Sequence, residues 1–126
     1  MRPAQHFIVI GAINGFLAVA FGAFGAHALK DILSAGLLEV FKIGVDYQAM
    51  HALALLAVGL CARSGRETAL NLAGWAFASG IVLFSGSLYL LALTDIRWLG
   101  AVTPLGGAAF LLGWAALAWH ASHSPA

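Results

Sequence analysis

Charged side chains cluster along this chain, and between the clusters lie four stretches without a single Lys, Arg, Asp or Glu: residues 3–29, 47–62, 68–94 and 98–126. A bilayer's hydrocarbon is ~30 Å thick and takes ~20 apolar residues of helix to cross. The pattern therefore predicts four membrane-spanning helices, at about residues 7–29, 45–62, 69–93 and 98–119.

Small residues within the first span are not scattered. At ~100° per residue, Gly11, Gly15, Ala18, Gly22, Gly25 and Ala26 fall within an arc of about 100°, and Ile10, Ile13, Phe16, Leu17, Phe21 and Phe24 take the other side. Lipid gives helices no hydrophobic reason to associate, so close backbone approach through such a seam supplies the contact. The third span repeats the device with Ala69, Ala73, Ala76, Gly80 and Ser87 on one stripe. Gly11, Gly15, Gly22 and Gly80 are accordingly the expected helix-packing residues.

The stretch 31–44 reads differently. Asp31, Glu39, Lys42 and Asp46 share an arc of about 80°, with Leu33, Leu37, Val40, Phe41 and Ile43 turned away from it, which predicts a short amphipathic helix lying in the membrane surface. Glu39 with Lys42, and Lys42 with Asp46, have the spacing of helical ion pairs. Gly36 and Gly44 are candidate interruptions. The second span is then short and borrows residues 43–46 from this helix. Residues 63–67 form a charged turn between antiparallel spans, and Pro104 falls in the first turns of the fourth, where proline is tolerated. Trp98, Tyr47 and Tyr89 near one membrane face, and Trp75 and Trp119 near the other, fit interfacial aromatic belts.

Composition agrees: apolar residues make up 62% of the 126-residue chain and charged residues 9%, against ~45–50% and ~25% in ordinary soluble domains. One domain fits this length. A formal net charge of +1 gives no reason to expect a nucleic-acid partner. The single cysteine, Cys61, excludes an internal disulfide. Arg2, an apolar run and Ala26-His27-Ala28 imitate a signal peptide, but an apolar stretch from Phe7 to Gly25 exceeds the ~7–15 residues of a signal core, so the segment is expected to stay attached. Orientation is evenly weighted, with Arg2, Arg63 and Arg66 against Lys30, Lys42 and Arg97; the short basic loop favours cytoplasmic termini.

The strings GAINGFLAVAFGAFGAHALK, YQAMHALALL, LFSGSLYLLAL and PLGGAAFLLGWAALAW, in this order, resemble the domain-of-unknown-function 423 family of small bacterial inner-membrane proteins, across nearly the whole chain. The resemblance implies a four-helix protein of a bacterial inner membrane. It implies no activity, substrate or catalytic residue.

Intramembrane polar residues are the natural places to look for chemistry, because unsatisfied groups in hydrocarbon are costly. Alternating spans bring His27, Tyr47, Gln48, His51, Ser85, Ser87, Tyr89 and Thr103 to comparable depth near one membrane face. Such a cluster suits a lipid headgroup, a small polar solute or a proton-exchanging histidine; it equally suits interhelical hydrogen bonds that fix the bundle. Tyr47, Gln48, His51 and Ser87 are the candidate ligand-binding residues. A bis-histidine haem is disfavoured because His27 turns away and His120 lies at the other face. Zinc lacks a completing ligand beside His120 and His123. No nucleophile-and-base arrangement, phosphate-binding loop or carboxylate pair is present, so no enzyme, cofactor or metal is expected.

The expected architecture is an all-α membrane protein, a bundle of four transmembrane helices with an interfacial amphipathic helix after the first. Two functions remain open. One is a structural or accessory component that packs through Gly/Ala faces against itself or a membrane-protein partner; the other is a small lipid or solute binder or carrier built around His51.

Overall fold

The computed structural model describes residues 2–62 and 67–124. Within them the chain forms four long apolar helices, α1 (Pro3–Leu29), α2 (Ala35–Cys61), α3 (Thr68–Thr94) and α4 (Arg97–His123), each long enough to cross a bilayer. The charged turn expected at 63–67 lies outside the described residues except for Glu67.

Local chemistry sets the helix ends. Pro3 stands in the first turn of α1, where the missing amide costs nothing, and Gln5 Oε1 accepts the Arg2 amide at 2.8 Å. Ser34 caps α2 by accepting the Leu37 amide at 3.2 Å. At the end of α3 the chain turns at Asp95, whose φ of 56° is the left-handed geometry of a helix C-cap. α4 opens with a 3-10 turn, Arg97–Ala101, before Pro104 enters the α-helical part, Thr103–His123.

Ser34 also decides a point that periodicity misjudges. Because the cap starts a helix that runs unbroken to Cys61, there is no separate interfacial helix at 31–44: residues 31–34 are the turn, and the amphipathic stretch is the first part of α2. Gly36 and Gly44 do not interrupt it. Nor do Glu39, Lys42 and Asp46 pair with one another; among the described residues the ion pair formed is Arg97 with Asp95, at 2.7 Å.

α2 and α3 are the interior helices, with 44% and 50% of their most apolar windows buried, against 17% and 22% for α1 and α4. The outer two lie on opposite sides of this central pair: α1 packs mainly along α2, and α4 mainly along α3. Phe7 of α1 crosses to α3, its ring meeting Trp75 edge-on at 5.3 Å. Phe7, Leu55, Val58, Leu70, Phe77 and Phe110 form a core that draws on all four helices. Both described ends of the chain fall on one side of the bundle, and the α1–α2 and α3–α4 turns on the other.

Close approaches occur where a glycine removes a side chain. A Cβ on Gly11 would stand 2.9 Å from the Ala52 carbonyl oxygen, one on Gly22 would stand 3.1 Å from Val45 Cγ1, and one on Gly80 would run into the Phe110 ring. Gly15 differs, since nothing lies within 4 Å of the position its Cβ would take. The tightest approach is at Gly106, where a Cβ would strike the backbone nitrogen of Phe84. Phe84 belongs to a π-helical turn of α3, Ile81–Ser85, in which the Gly86 amide reaches back to Ile81. A second π turn, Ala20–Gly25, occupies the corresponding part of α1.

Candidate functional site

Three hydrogen-bonded groups replace the single polar cluster expected at one face. The first crosses the interior. Tyr89 Oη donates to Gln48 Oε1 at 2.6 Å, Gln48 Nε2 donates to Asn14 Oδ1 at 2.9 Å, and Asn14 Nδ2 donates to the Ile10 carbonyl at 2.9 Å. α3, α2 and α1 are thereby joined through side chains, with Gln48 only 3% exposed. Gly44 makes room for the Tyr89 ring, whose nearest carbon would stand 2.7 Å from a Cβ there. Tyr89 thus turns inward from the aromatic belt assigned to it.

His51 centres the second group and is 1% exposed. Trp114 Nε1 donates to its Nε2 at 3.0 Å. An indole N–H can only donate, so Nε2 is the acceptor, the ring proton sits on Nδ1, and Nδ1 donates to the Tyr47 carbonyl at 2.7 Å. Phe110 stacks on the imidazole with centroids 3.5 Å apart and planes 6° from parallel. Both ring nitrogens are engaged and one face is covered, an arrangement that holds the neutral tautomer in place.

Third, Ser87 Oγ donates to the Phe84 carbonyl at 2.9 Å and stands 2.7 Å from Thr103 Oγ1, tying α3 to α4. Ser85 Oγ donates to the Gly44 carbonyl at 2.7 Å. Ser85 closes the π turn and Ser87 follows it, where the turn's extra residue shifts side-chain positions. His27 is exposed and joins none of these groups.

Of the four candidate ligand-binding residues, Gln48, His51 and Ser87 are therefore spent on internal partners. Tyr47 is the one that reaches the outside, 38% exposed. It lines an apolar groove of about 540 Å³ between α2 and α4 with His51, Met50, Phe84, Pro104 and Trp114. Among the described residues no three His, Cys, Asp or Glu side chains converge to form a metal site.

Asn14, an intramembrane polar residue in the sequence, and Trp114 complete the first two groups, and neither is among the four candidate ligand-binding residues. Asn14 was legible in principle: an amide near the middle of a span must find a partner, and Gln48 is the nearest match in depth. A second span over 45–62 leaves Gln48 at its edge; the helix that begins at Ala35 puts it near the middle. Trp114 had no comparable signal, since an indole within an apolar run reads as bulk.

Each interhelical bond in a membrane contributes ~0.6 kcal/mol on average and ~1.7 at most. Tyr89→Phe, which removes one bond and keeps the ring, is expected to cost about that much in chemical unfolding of the detergent-solubilised protein. Gln48→Leu removes two bonds and strands Asn14, so it should cost more. A Tyr89→Phe loss as large as that of Gln48→Leu would mean that the Tyr89 hydroxyl holds more than the Gln48 carbonyl.

Comparison with known proteins places this arrangement in context. The family described as "protein of unknown function (DUF423)" matches residues 21–107. A UPF0382 membrane protein of Staphylococcus saprophyticus is 51% identical over 109 residues, covering 86% of this chain and 89% of the relative. YwdK, a UPF0382 membrane protein of Bacillus subtilis, is 50% identical over 109 residues, with 86% and 89% covered. A UPF0382 membrane protein of Haemophilus influenzae is 43% identical over 116 residues, with 91% and 92% covered. No solved structure matches.

Proposed function

Since the chain belongs to the DUF423 family of membrane proteins, we propose that it is a non-enzymatic structural or accessory component of a bacterial inner membrane, with both termini cytoplasmic, which assembles in the bilayer through the outer face of α1 and α2. The observation that carries this reading is the contrast between Gly11 and Gly15. Gly11 is consumed by contact with α2, whereas Gly15, one turn on, has nothing against it. It opens into an apolar groove of about 440 Å³ whose floor is small, with Ala12, Ala49 and Ala52, and whose walls are Phe16 and Leu53. Small-floored grooves of this kind admit a neighbouring transmembrane helix to close range. The polar side chains meanwhile serve the bundle itself, which weighs against the small-solute alternative at His51.

Cross-linking in native membranes tests the reading. The wild-type chain is expected to give a discrete protein adduct that Gly15→Leu abolishes and Leu111→Ala, on the exposed face of α4, leaves intact. Recovery of a copurifying small molecule with no adduct would favour the binder or carrier instead.

A further inference from the structure

Continuity of α2 leaves its charges in an unexpected place. Glu39, Lys42 and Asp46 form one exposed stripe, and none is ion-paired with another described residue. Asp46 does not lie at the membrane surface. The residues just before it stand abreast of mid-span positions: the Gly44 carbonyl accepts from Ser85 Oγ, and Val45 meets Gly22. From Ser85 to Asp95, the first charge beyond it on α3, is roughly 15 Å of helix, and from Gly22 to Lys30 roughly 12 Å. Lys30 and the exposed Asp95–Arg97 pair mark the headgroup level on that side. Asp46, and Lys42 one turn nearer the surface, consequently stand at hydrocarbon depth with their side chains turned outward. Glu39, roughly 10 Å from Asp46 along the helix, reaches the headgroups.

Ionised groups facing acyl chains are unfavourable, and pairing is the usual resolution. The deep part of the stripe carries one charge of each sign, one turn apart. A purely cationic partner leaves Lys42 unmatched, and a purely anionic one leaves Asp46 unmatched. A second copy related by a two-fold axis along the membrane normal matches both, because α2 then runs parallel to its copy and each Lys42 meets the other chain's Asp46. Towards the opposite membrane face the same stripe continues as Leu53, Ala57 and Leu60, all exposed, at the three-and-four spacing of a helix-pairing seam.

We propose that α2 pairs with α2 of a second copy in a parallel two-fold dimer closed by reciprocal Lys42–Asp46 ion pairs. The proposal rests on the assembly reading above and names the partner.

The test uses the full chain in liposomes, with dimers counted by single-molecule photobleaching of a tag. Wild type is expected to be dimeric. Lys42→Asp alone and Asp46→Lys alone should each weaken self-association by roughly tenfold or more, and mixing the two variants should restore a paired species. Pairing within one helix predicts no rescue on mixing. Independently of charge, Leu53→Cys in a Cys61→Ser background, oxidised with copper-phenanthroline, should give a disulfide-linked dimer, whereas the same change at Leu72, exposed on α3, should not. A monomeric wild type, unimpaired single reversals, failed rescue, or no Leu53→Cys cross-link overturns the proposal. If the Gly15→Leu-sensitive adduct survives such a result, the assembly reading stands without this pairing; if that adduct is also missing, both fall.

Discussion

Gly106→Leu is expected to separate α4 from α3. The added side chain would start inside the backbone of Phe84, and a main chain held in a helical turn cannot rotate aside as a side chain does. Overpacking costs ~1–3 kcal/mol where neighbouring side chains yield; with backbone in the way, a loss above about 3 kcal/mol is expected. The readout is the folded fraction of the detergent-solubilised protein against heat or SDS, followed by near-UV circular dichroism. Gly15→Leu supplies the contrast, because the open space around it should keep the change in stability within ~0.5 kcal/mol. Equal behaviour of the two variants would refute the close approach of α4 to the π turn.

His51→Ala is the second substitution with a large expected cost, roughly 3–5 kcal/mol. It removes the ring stacked against Phe110 and also leaves the Trp114 indole N–H without an acceptor. His51→Phe separates the two losses, since it keeps an aromatic ring of similar size and abolishes only the hydrogen bonds. About 1–3 kcal/mol is expected for it, and the order of stability should be wild type, then Phe, then Ala. A fully stable His51→Ala protein would show that the imidazole is not part of the core and would reopen a ligand role at that position.

Gly11 and Gly106 show how far such contacts could be read in advance. The first belongs to a GxxxG motif and was legible as a packing position. Its motif partner Gly15 was equally legible and makes no contact, because it opens into the groove beside α2, although α1 meets α2 again further on, at Gly22. Gly106 sits in no seam identified from spacing; its importance comes from the π turn opposite, which shifts the α3 backbone and has no pattern of hydrophobic positions to announce it. The same holds for Ser85 and Ser87, which were marked as polar but not by partner.

The separate helix expected at 31–44 fails for a related reason. An amphipathic arc identifies a helix with two unlike faces, but it does not say whether that helix lies along the membrane or passes into it. The Ser34 cap and the unbroken helix to Cys61 join that arc to the second span as one helix.

Residue composition along the chain was enough to establish the four crossings, the helical class and the membrane setting, because the cost of placing charge and unbonded backbone in hydrocarbon depends on the residues themselves wherever they sit. Pairings were another matter: Gln48 with Asn14, Trp114 with His51, Gly106 with Phe84. Each depends on the distance and rotation between two helices, and in lipid those are set by side-chain shape and close contact rather than by any hydrophobic preference that a run of residues could encode.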